Sequence, residues 1–473
     1  MENKEKFRSS MLSVFDNTLK FTWIATFLII TNFAIIVKKI NEFNMNIDVN
    51  LLLMIFLSIF IISVLIFYFI NWHISRYEIK DEMIIVYKNI FVKDRKVILI
   101  NNIANIGLSK NVFERLFKLT RIKIYANEKN KLFCDFEAVL TKADFNKYIE
   151  PFMRKSNIDI INKSKKFNIK FNLLEIFKHS FFSIPISSIV VIINFILLIF
   201  NMIGDGTFLK EVMYDFLGLI ITLIGFIFPV IYSILKNVLK YINFTIRRNG
   251  KVIHISYGLF TLKEYIVPVK KINGIIIDVS LLSKIFGCYK VNIINLGIGD
   301  KKSEVEMLFP ISKKTKCMRI MNLILPEYNI DMNHKRQPFE TIVIIAIKVI
   351  LLMLILVIPV IYIDARLALF ISLFLFLLIF IIYYIKRIII SDKCICVING
   401  IFVKRIRIIM YNKIENIEIK EGIISKKIGL CKVYMQILAD IKNNRISSGY
   451  ITKSDAVKII KNINWKTILY EML

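Results

Sequence analysis

The side chains able to do chemistry are few, and their spacing speaks against most reactions. Four histidines occur, His73, His179, His254 and His334. Three sit near the borders of apolar stretches and none has a close histidine partner. No HExxH pair is present, so a zinc or acid–base histidine centre is not indicated. Six cysteines occur, Cys134, Cys288, Cys317, Cys394, Cys396 and Cys431. Cys394 and Cys396 are two apart in a strand-like pattern and face one side together. A metal pair would need two further ligands, and the neighbourhood offers none, so small apolar core residues are the plainer reading. Gly297-Ile298-Gly299-Asp300 holds only a GxG, with no third glycine and no helix start behind it, which suits a hairpin better than a phosphate cradle. Walker A, GxSxG and kinase-type sets are absent, as are aspartate pairs inside the apolar stretches. No catalytic, cofactor-binding or metal-ligating residue is therefore assigned, no cofactor is expected, and the chain reads as a non-enzyme.

Lys348 stands apart, as a charge well inside an apolar run. Intramembrane charges are functional candidates by default. Three readings stay open: the stem snorkels toward the cytoplasmic end of its helix, it packs against a polar group such as Asn194, or it serves transport. A second basic group precedes another apolar run. Lys163, Lys165, Lys166 and Lys170 interleave with Phe167, Ile169 and Phe171, which fits a strand or an interfacial segment. Contact with anionic lipid and simple determination of topology both suit it.

These charges need elements to hold them. The chain has 473 residues, 56% hydrophobic, with mean hydropathy +0.60 and a formal net charge of +30. So much apolar surface excludes disorder and argues for a membrane protein. Six apolar stretches run over 21–37, 51–72, 180–203, 214–235, 339–363 and 367–385, each near the ~20 residues needed to cross a bilayer. The first is expected to be a retained anchor, because no small-residue cleavage site follows it. Short loops within pairs are poor in Lys and Arg, whereas the long segments between pairs carry basic flanks such as Arg76, Lys236, Lys240 and Arg387. The long segments and both termini are thus expected on the cytoplasmic side of the plasma membrane. The same placement accounts for most of the positive charge without a nucleic-acid partner.

The three long segments repeat one pattern. Asn89-Ile90-Phe91-Val92-Lys93, Gly258-Leu259-Phe260-Thr261 and Gly400-Ile401-Phe402-Val403-Lys404 align, with the phenylalanines 169 and then 142 positions apart. Strand-like segments follow at 96–106, 265–277 and 407–419, then Leu116-Phe117, Ile285-Phe286-Gly287 and Ile428-Gly429. Alternation of period two predicts about six or seven short antiparallel strands per unit. Each unit closes in a helix, at Thr141–Arg154, Ser312–Leu325 and Thr452–Ile463, whose first residues suit N-caps.

The middle unit, with Tyr257-Gly258-Leu259-Phe260, Val267-Pro268-Val269 and Leu282-Ser283-Lys284-Ile285-Phe286-Gly287, resembles the bacterial membrane-associated pleckstrin-homology-like (PH-like) domain. The layout over nearly the whole chain looks like the YdbT-type three-repeat proteins of low-GC Gram-positive bacteria. Asn89 replaces the glycine in the first unit, and Met410 stands near the expected proline in the third. The resemblance implies a PH-like fold and a membrane location, and no catalytic residues.

The expected fold is therefore an α+β integral membrane protein. Six transmembrane helices form three pairs, each followed by an antiparallel β-sandwich or barrel capped by a C-terminal helix. The expected boundaries are 1–72 (N-terminal segment and first pair), 73–160 (first domain), 161–235 (juxtamembrane segment and second pair), 236–330 (second domain), 331–385 (third pair) and 386–473 (third domain). Phe91, Gly258, Phe260, Pro268, Gly287, Gly400, Phe402 and Gly429 are the expected structural residues of the repeat; if Phe260 is a core residue, its truncation would cost about 3–5 kcal/mol. The expected role is a scaffold at the cytoplasmic face, with envelope stress or antimicrobial resistance as a candidate setting. Its expected partners are the bilayer with its anionic lipids and either another membrane protein or further copies of the chain. The alternative is a six-helix transporter or channel with regulatory PH-like domains.

Overall fold

A computed structural model describes residues 6–31, 49–80, 82–88, 94–126, 135–155, 167–184, 216–295, 306–328, 335–361, 365–400, 403–439 and 444–463. Apolar helices occupy Leu12–Thr31, Val49–Ile74, Phe216–Tyr241, Thr341–Ile361 and Ala365–Ile385. The stretch expected at 180–203 falls mostly outside the described residues. Among those residues, Met54–Ile74 is the one helical stretch that passes as long and apolar enough to cross a membrane, with Thr341–Leu354 and Ile371–Ile385 as shorter apolar runs.

The chain divides into two compact units, 1–163 with 260–266, and 164–259 with 267–473. In the first, β1 (Arg76–Lys80), β2 (Met83–Lys88) and β3 (Asp94–Leu99) form one antiparallel sheet. The three-residue turn Ile100–Asn102 then breaks the strand. Beyond it β4 (Ile103–Lys110), β5 (Leu119–Ala126) and β6 (Phe136–Thr141) pair in order. Ile84, Ile98, Ile106, Ile122 and Leu140 are fully buried or nearly so, as the inward members of half-buried strands must be. A helical stretch over 142–155 begins at Thr141, whose hydroxyl accepts from the Asp144 N–H at 3.2 Å. The 262–266 part of β10 (Leu262–Pro268) adds to the outer side of β4, Ile266 opposite Ile106.

In the second unit β7 (Phe167–Lys170), β8 (Thr245–Asn249) and β9 (Val252–Tyr257) pair antiparallel in succession. The strands β11 (Gly274–Val279), β12 (Cys288–Ile294) and β13 (Glu306–Lys313) follow. The last repeat supplies β14 (Lys335–Arg336), β15 (Arg387–Ile390), β16 (Cys394–Asn399) and β17 (Lys404–Met410). Strand β17 lies on β11, so all seven make one sheet in the order β13-β12-β11-β17-β16-β15-β14. Separately, β18 (Ile414–Lys420), β19 (Leu430–Ile437) and β20 (Arg445–Thr452) form a three-stranded sheet. Its core joins Ile395, Val397 and Ile409 to Ile417, Val433, Met435 and the helix residues Ala456 and Ile459. This is a sandwich closed by the helix Lys453–Lys461.

Several sequence-based expectations change. The segments 96–106, 265–277 and 407–419 are not single strands. Turns at Ile100–Asn102, Val269–Lys271 and Tyr411–Lys413 split each into strands of two different sheets. Pro268 is the last residue before its turn, at φ −65°, ψ 128°; Met410 takes φ −78°, ψ 142° there without a proline ring. Ser312 is no helix cap, because β13 continues through it and the helix starts at Lys314. Phe260 is not a core residue: it lies in the bend before β10 and is 58% exposed. A side chain at a bend between strands points away from the space that strand residues fill. Phe91, Phe402 and Asn89 lie outside the described residues.

The repeat has one backbone demand that sequence composition meets only twice. After the short helix that follows β4, β11 or β18, the chain turns through a left-handed residue: Gly287 at φ +60°, Gly429 at φ +77°, and in the first repeat Lys118 at φ +53°. Space is open beside both glycines, so the constraint is torsional. A non-glycine in this region costs about 1 kcal/mol or more. Gly429→Ala should therefore lower the thermal midpoint of the detergent-solubilised chain by a few degrees, whereas Lys118→Gly should leave it unchanged or raise it. A loss with Lys118→Gly equal to that of Gly429→Ala would show that the backbone at 118 carries no strain.

Candidate functional site

The points where charge and helix ends meet the domains form three seams. In the first, Arg121 of β5 is the hub. Its guanidinium donates to Asp16 at 2.9 Å, Glu114 at 2.7 Å and Glu137 at 2.6 Å. Asp16 lies near the start of the helix Leu12–Thr31 and is buried, as is Glu114. The helix Val49–Ile74 is tied in by the Trp72 indole N–H, which donates to the Ser9 carbonyl at 2.7 Å. A cavity of about 200 Å³ opens here, lined by Ser13, Asn17, Asn71, Trp72, Arg121 and Glu137. A buried cation facing three carboxylates pins a helix to a sheet. Removing it would strand buried negative charge, a loss of typically 3–5 kcal/mol.

The second seam surrounds His179, buried near the end of the helix Leu173–Phe182. Tyr241, the last residue of the helix Phe216–Tyr241, meets it edge to face at 5.3 Å between ring centres. The His179 Nδ1 has no hydrogen-bond partner. Burial, with the Lys290 and Lys240 ammonium groups nearby, holds its pKa well below the ordinary histidine value. It stands as a neutral wedge between the two helices.

The third seam contains Lys348. Gln337 is buried before the helix Thr341–Ile361 and bridges two elements. Its Nε2 donates to the Tyr383 carbonyl at 3.2 Å, and its Oε1 accepts from the Tyr450 N–H of β20 at 3.2 Å. The Tyr383 hydroxyl returns a hydrogen bond to the Gln337 carbonyl at 3.2 Å. Lys432 of β19 places its ammonium 4.3 Å from the centre of the Tyr450 ring. Burial, followed by the charges of Lys348 and Lys386, pushes the Lys432 pKa down to about 8. Lys386 is likewise lowered, by burial and then by Lys348. Lys348 thus sits among cations at the domain end of its helix, the direction in which snorkelling carries it.

The other basic residues separate. Lys170 belongs to β7, opposite Thr245, and is exposed; Lys163, Lys165 and Lys166 lie outside the described residues. The strand reading therefore holds for 167–170. Each repeat uses its pre-helix segment in the same way. Phe7 bridges to Tyr77, Ile169 pairs with Ile246 and Lys335 with Ile388, and these three partners are themselves separated by 169 and 142 positions. Gly287 and Gly429 set turns, and Gly400, at φ +105°, admits no Cβ because the Val403 carbonyl oxygen would stand 2.0 Å from it. Gly258 has φ +117° and donates its N–H to the Ile242 carbonyl at 2.8 Å. Of the cysteines, Cys317 and Cys396 are buried, with pKa pushed up to about 12, as unreactive thiols. Sequence reasoning missed Arg121, Gln337 and Lys432. Arg121 and Lys432 sit amid many similar basic residues, and Gln337 has no counterpart in the repeat pattern.

Antiparallel sheets, an end-capping helix and apolar helices before each domain define a membrane-associated protein built from PH-like domains. The family profile described as Bacterial PH domain matches residues 21–148, 181–326 and 341–467, and the chain belongs to that family. A similar protein is the UPF0699 transmembrane protein YdbT of Bacillus subtilis (strain 168), 24% identical over 300 residues. The match covers 57% of this chain and 60% of that relative, so under two thirds of the relative's length is spanned. No solved structure matches.

The second seam makes a pH prediction. Because the folded-state pKa of His179 is depressed, the unfolded chain takes up a proton that the folded chain refuses once pH falls below about 6.5. Stability should be complete above that pH and decline as pH drops toward 5, by up to about 1.4 kcal/mol per pH unit. His179→Phe should flatten this slope in thermal melts of the purified chain between pH 7 and 5. An unchanged slope would mean that His179 is not the titrating group.

Proposed function

We propose that the chain is a non-enzymatic scaffold of the plasma membrane. Six helices in three pairs hold three PH-like domains at the cytoplasmic face, with both termini on that side. The observation that carries this reading is the shared sheet of the second unit, in which β17 of one repeat completes the sheet begun by β11 of the preceding one. A substrate pathway needs parts that move, whereas a seven-stranded sheet crossing a repeat boundary resists relative motion. The lysines at the third seam extend the reading to anionic lipid. Lys348, Lys386 and Lys432 would meet a headgroup phosphate at the cytoplasmic border, each worth about 1 kcal/mol near a charged surface. The seam's position beside a span keeps the transporter or channel reading as the rival, since Lys348 could hold a transported anion there.

Two measurements test this. Membrane-impermeant thiol labelling of intact cells should modify a cysteine introduced between 204 and 213, and spare one introduced at Lys284 or Lys426. External labelling at Lys426 would overturn the topology. In a null strain, Lys348→Met should still complement, because it keeps the apolar stem, removes an intramembrane charge and gives up only about 1 kcal/mol of a lipid attraction that Lys386 and Lys432 retain. Lost complementation at normal expression would favour transport.

A further inference from the structure

Among the strands at sheet edges in the described residues, β3 and β18 are complementary to one another. Strand β3 pairs only with β2, and β18 only with β19, among the described residues. The counterparts of β3 in the other repeats are β10 and β17, and those of β18 are β4 and β11. At both of those places the two types of edge meet: β10 on β4 and β17 on β11. The register is the same at each joint. Ile266 stands opposite Ile106, and Ile408 opposite Ile275. These residues are related by the 169- and 142-position offsets of the repeat. The same offsets carry Ile266 and Ile408 to Val97 of β3, and Ile106 and Ile275 to Ile417 of β18.

The side chains agree with an unfinished joint. Ile266 and Ile408 are buried, at 0% and 4%, whereas Val97 is 42% exposed. The projected register then sets Lys96 opposite Glu418. The existing β11–β17 joint has a comparable charge pair, Arg405 with Asp278 at 2.8 Å, and opposite charges facing across strands contribute roughly 0.2–1 kcal/mol. Lys96 already pairs with the buried Asp135 and would share rather than exchange that partner, whereas Glu418 meets Lys420 and Arg445 at a surface position. The bulge that shifts β18 against β19 between Ile414 and Asn416 is no obstacle. Strand β4 has the same shift between Ile103 and Asn105, and it pairs with β10 beyond it. Unpaired strand edges recruit other strands unless guarded.

We propose that β3 of one chain adds to β18 of a second copy of the same chain, antiparallel, with Val97 opposite Ile417, Lys96 opposite Glu418 and Arg95 opposite Ile419. The contact is heterologous, so it builds head-to-tail rings or rows rather than a closed two-fold dimer. It gives the scaffold reading its partner and rests on that reading only for its biological use, since the edge pairing is a physical property of the chain alone.

The test uses full-length chains in mild detergent, one tagged and carrying Lys96→Cys, the other differently tagged and carrying Glu418→Cys. Residues facing one another across antiparallel strands have Cα atoms about 4.5–5.5 Å apart, within disulfide reach. Oxidation of the mixture should give a doubly tagged, disulfide-linked pair several-fold above either variant alone and above the unmodified chain with its own six cysteines. If loss of the Asp135 ion pair unfolds Lys96→Cys, Arg95→Cys mixed with Ile419→Cys reads the next register position. Equal linkage in Lys96→Cys alone would mean β3 meets β3, and overturns the proposal. So would the absence of linkage above background in both pairs of folded variants. Glu418→Lys, at a surface position, should shift the wild-type assembly toward single chains by mass measurement. An unshifted mass would also overturn the proposal, whereas the topology measured in cells is unaffected by either outcome.

Discussion

The joint between β11 and β17 is the constraint on which the second unit depends. It closes a sequence separation of 127 residues between Asp278 and Arg405, and everything between those residues must fit the register it sets. Backbone hydrogen bonds make the joint directional. A one-residue slip would move Ile275, Ile277, Ile406 and Ile408 to the side on which Ile276 and Ile409 pack, exchanging two buried faces at once. The core records the same dependence, because Ile276 and Ile294 from one side of the joint pack with Ile395, Val397 and Val433 from the other. Repeats joined in this way behave as an array with nearest-neighbour interfaces.

Polar groups fasten helices to sheets within each unit. Arg121, facing three carboxylates, fastens the helix that begins at Leu12. The Gln337 carboxamide spans from Tyr383 to Tyr450. In each case the fastening residue comes from a different element than the charge or carbonyl it meets, so helix and domain cannot shift independently without exposing an unpaired buried group. The His179 wedge differs, because its Nδ1 has no partner. Its cost is kept low by remaining neutral.

Similarity to a Bacillus protein described as a transmembrane protein agrees with the apolar helices, and the family assignment agrees with antiparallel sheets closed by a helix. Neither similarity names a ligand. The chemical indications at the seams are local: three lysines at a helix end, thiols raised by burial, and no group of three or more His, Cys, Asp or Glu poised for a metal among the described residues.

The sequence alone determined the apolar helices, the threefold repeat and the caps at Thr141 and Thr452, because each is written in contiguous residues: long apolar runs, period-two alternation, a hydroxyl three positions before an acidic side chain. It did not reveal the breaks at Ile100, Val269 and Tyr411. Alternation continues across them, and nothing in a period-two pattern says which sheet a strand joins. Phe260 looked like core because its neighbours repeat, yet a residue in a bend is placed by the turn and not by its hydrophobicity. Lys118 shows the reverse, a left-handed position held by a residue that does not advertise it. The partners of Arg121, Gln337 and Lys432 were decided only by the tertiary structure. A charge or carboxamide acquires its meaning from groups up to 113 positions away, and those are brought near only once the helices and strands of a repeat have packed together.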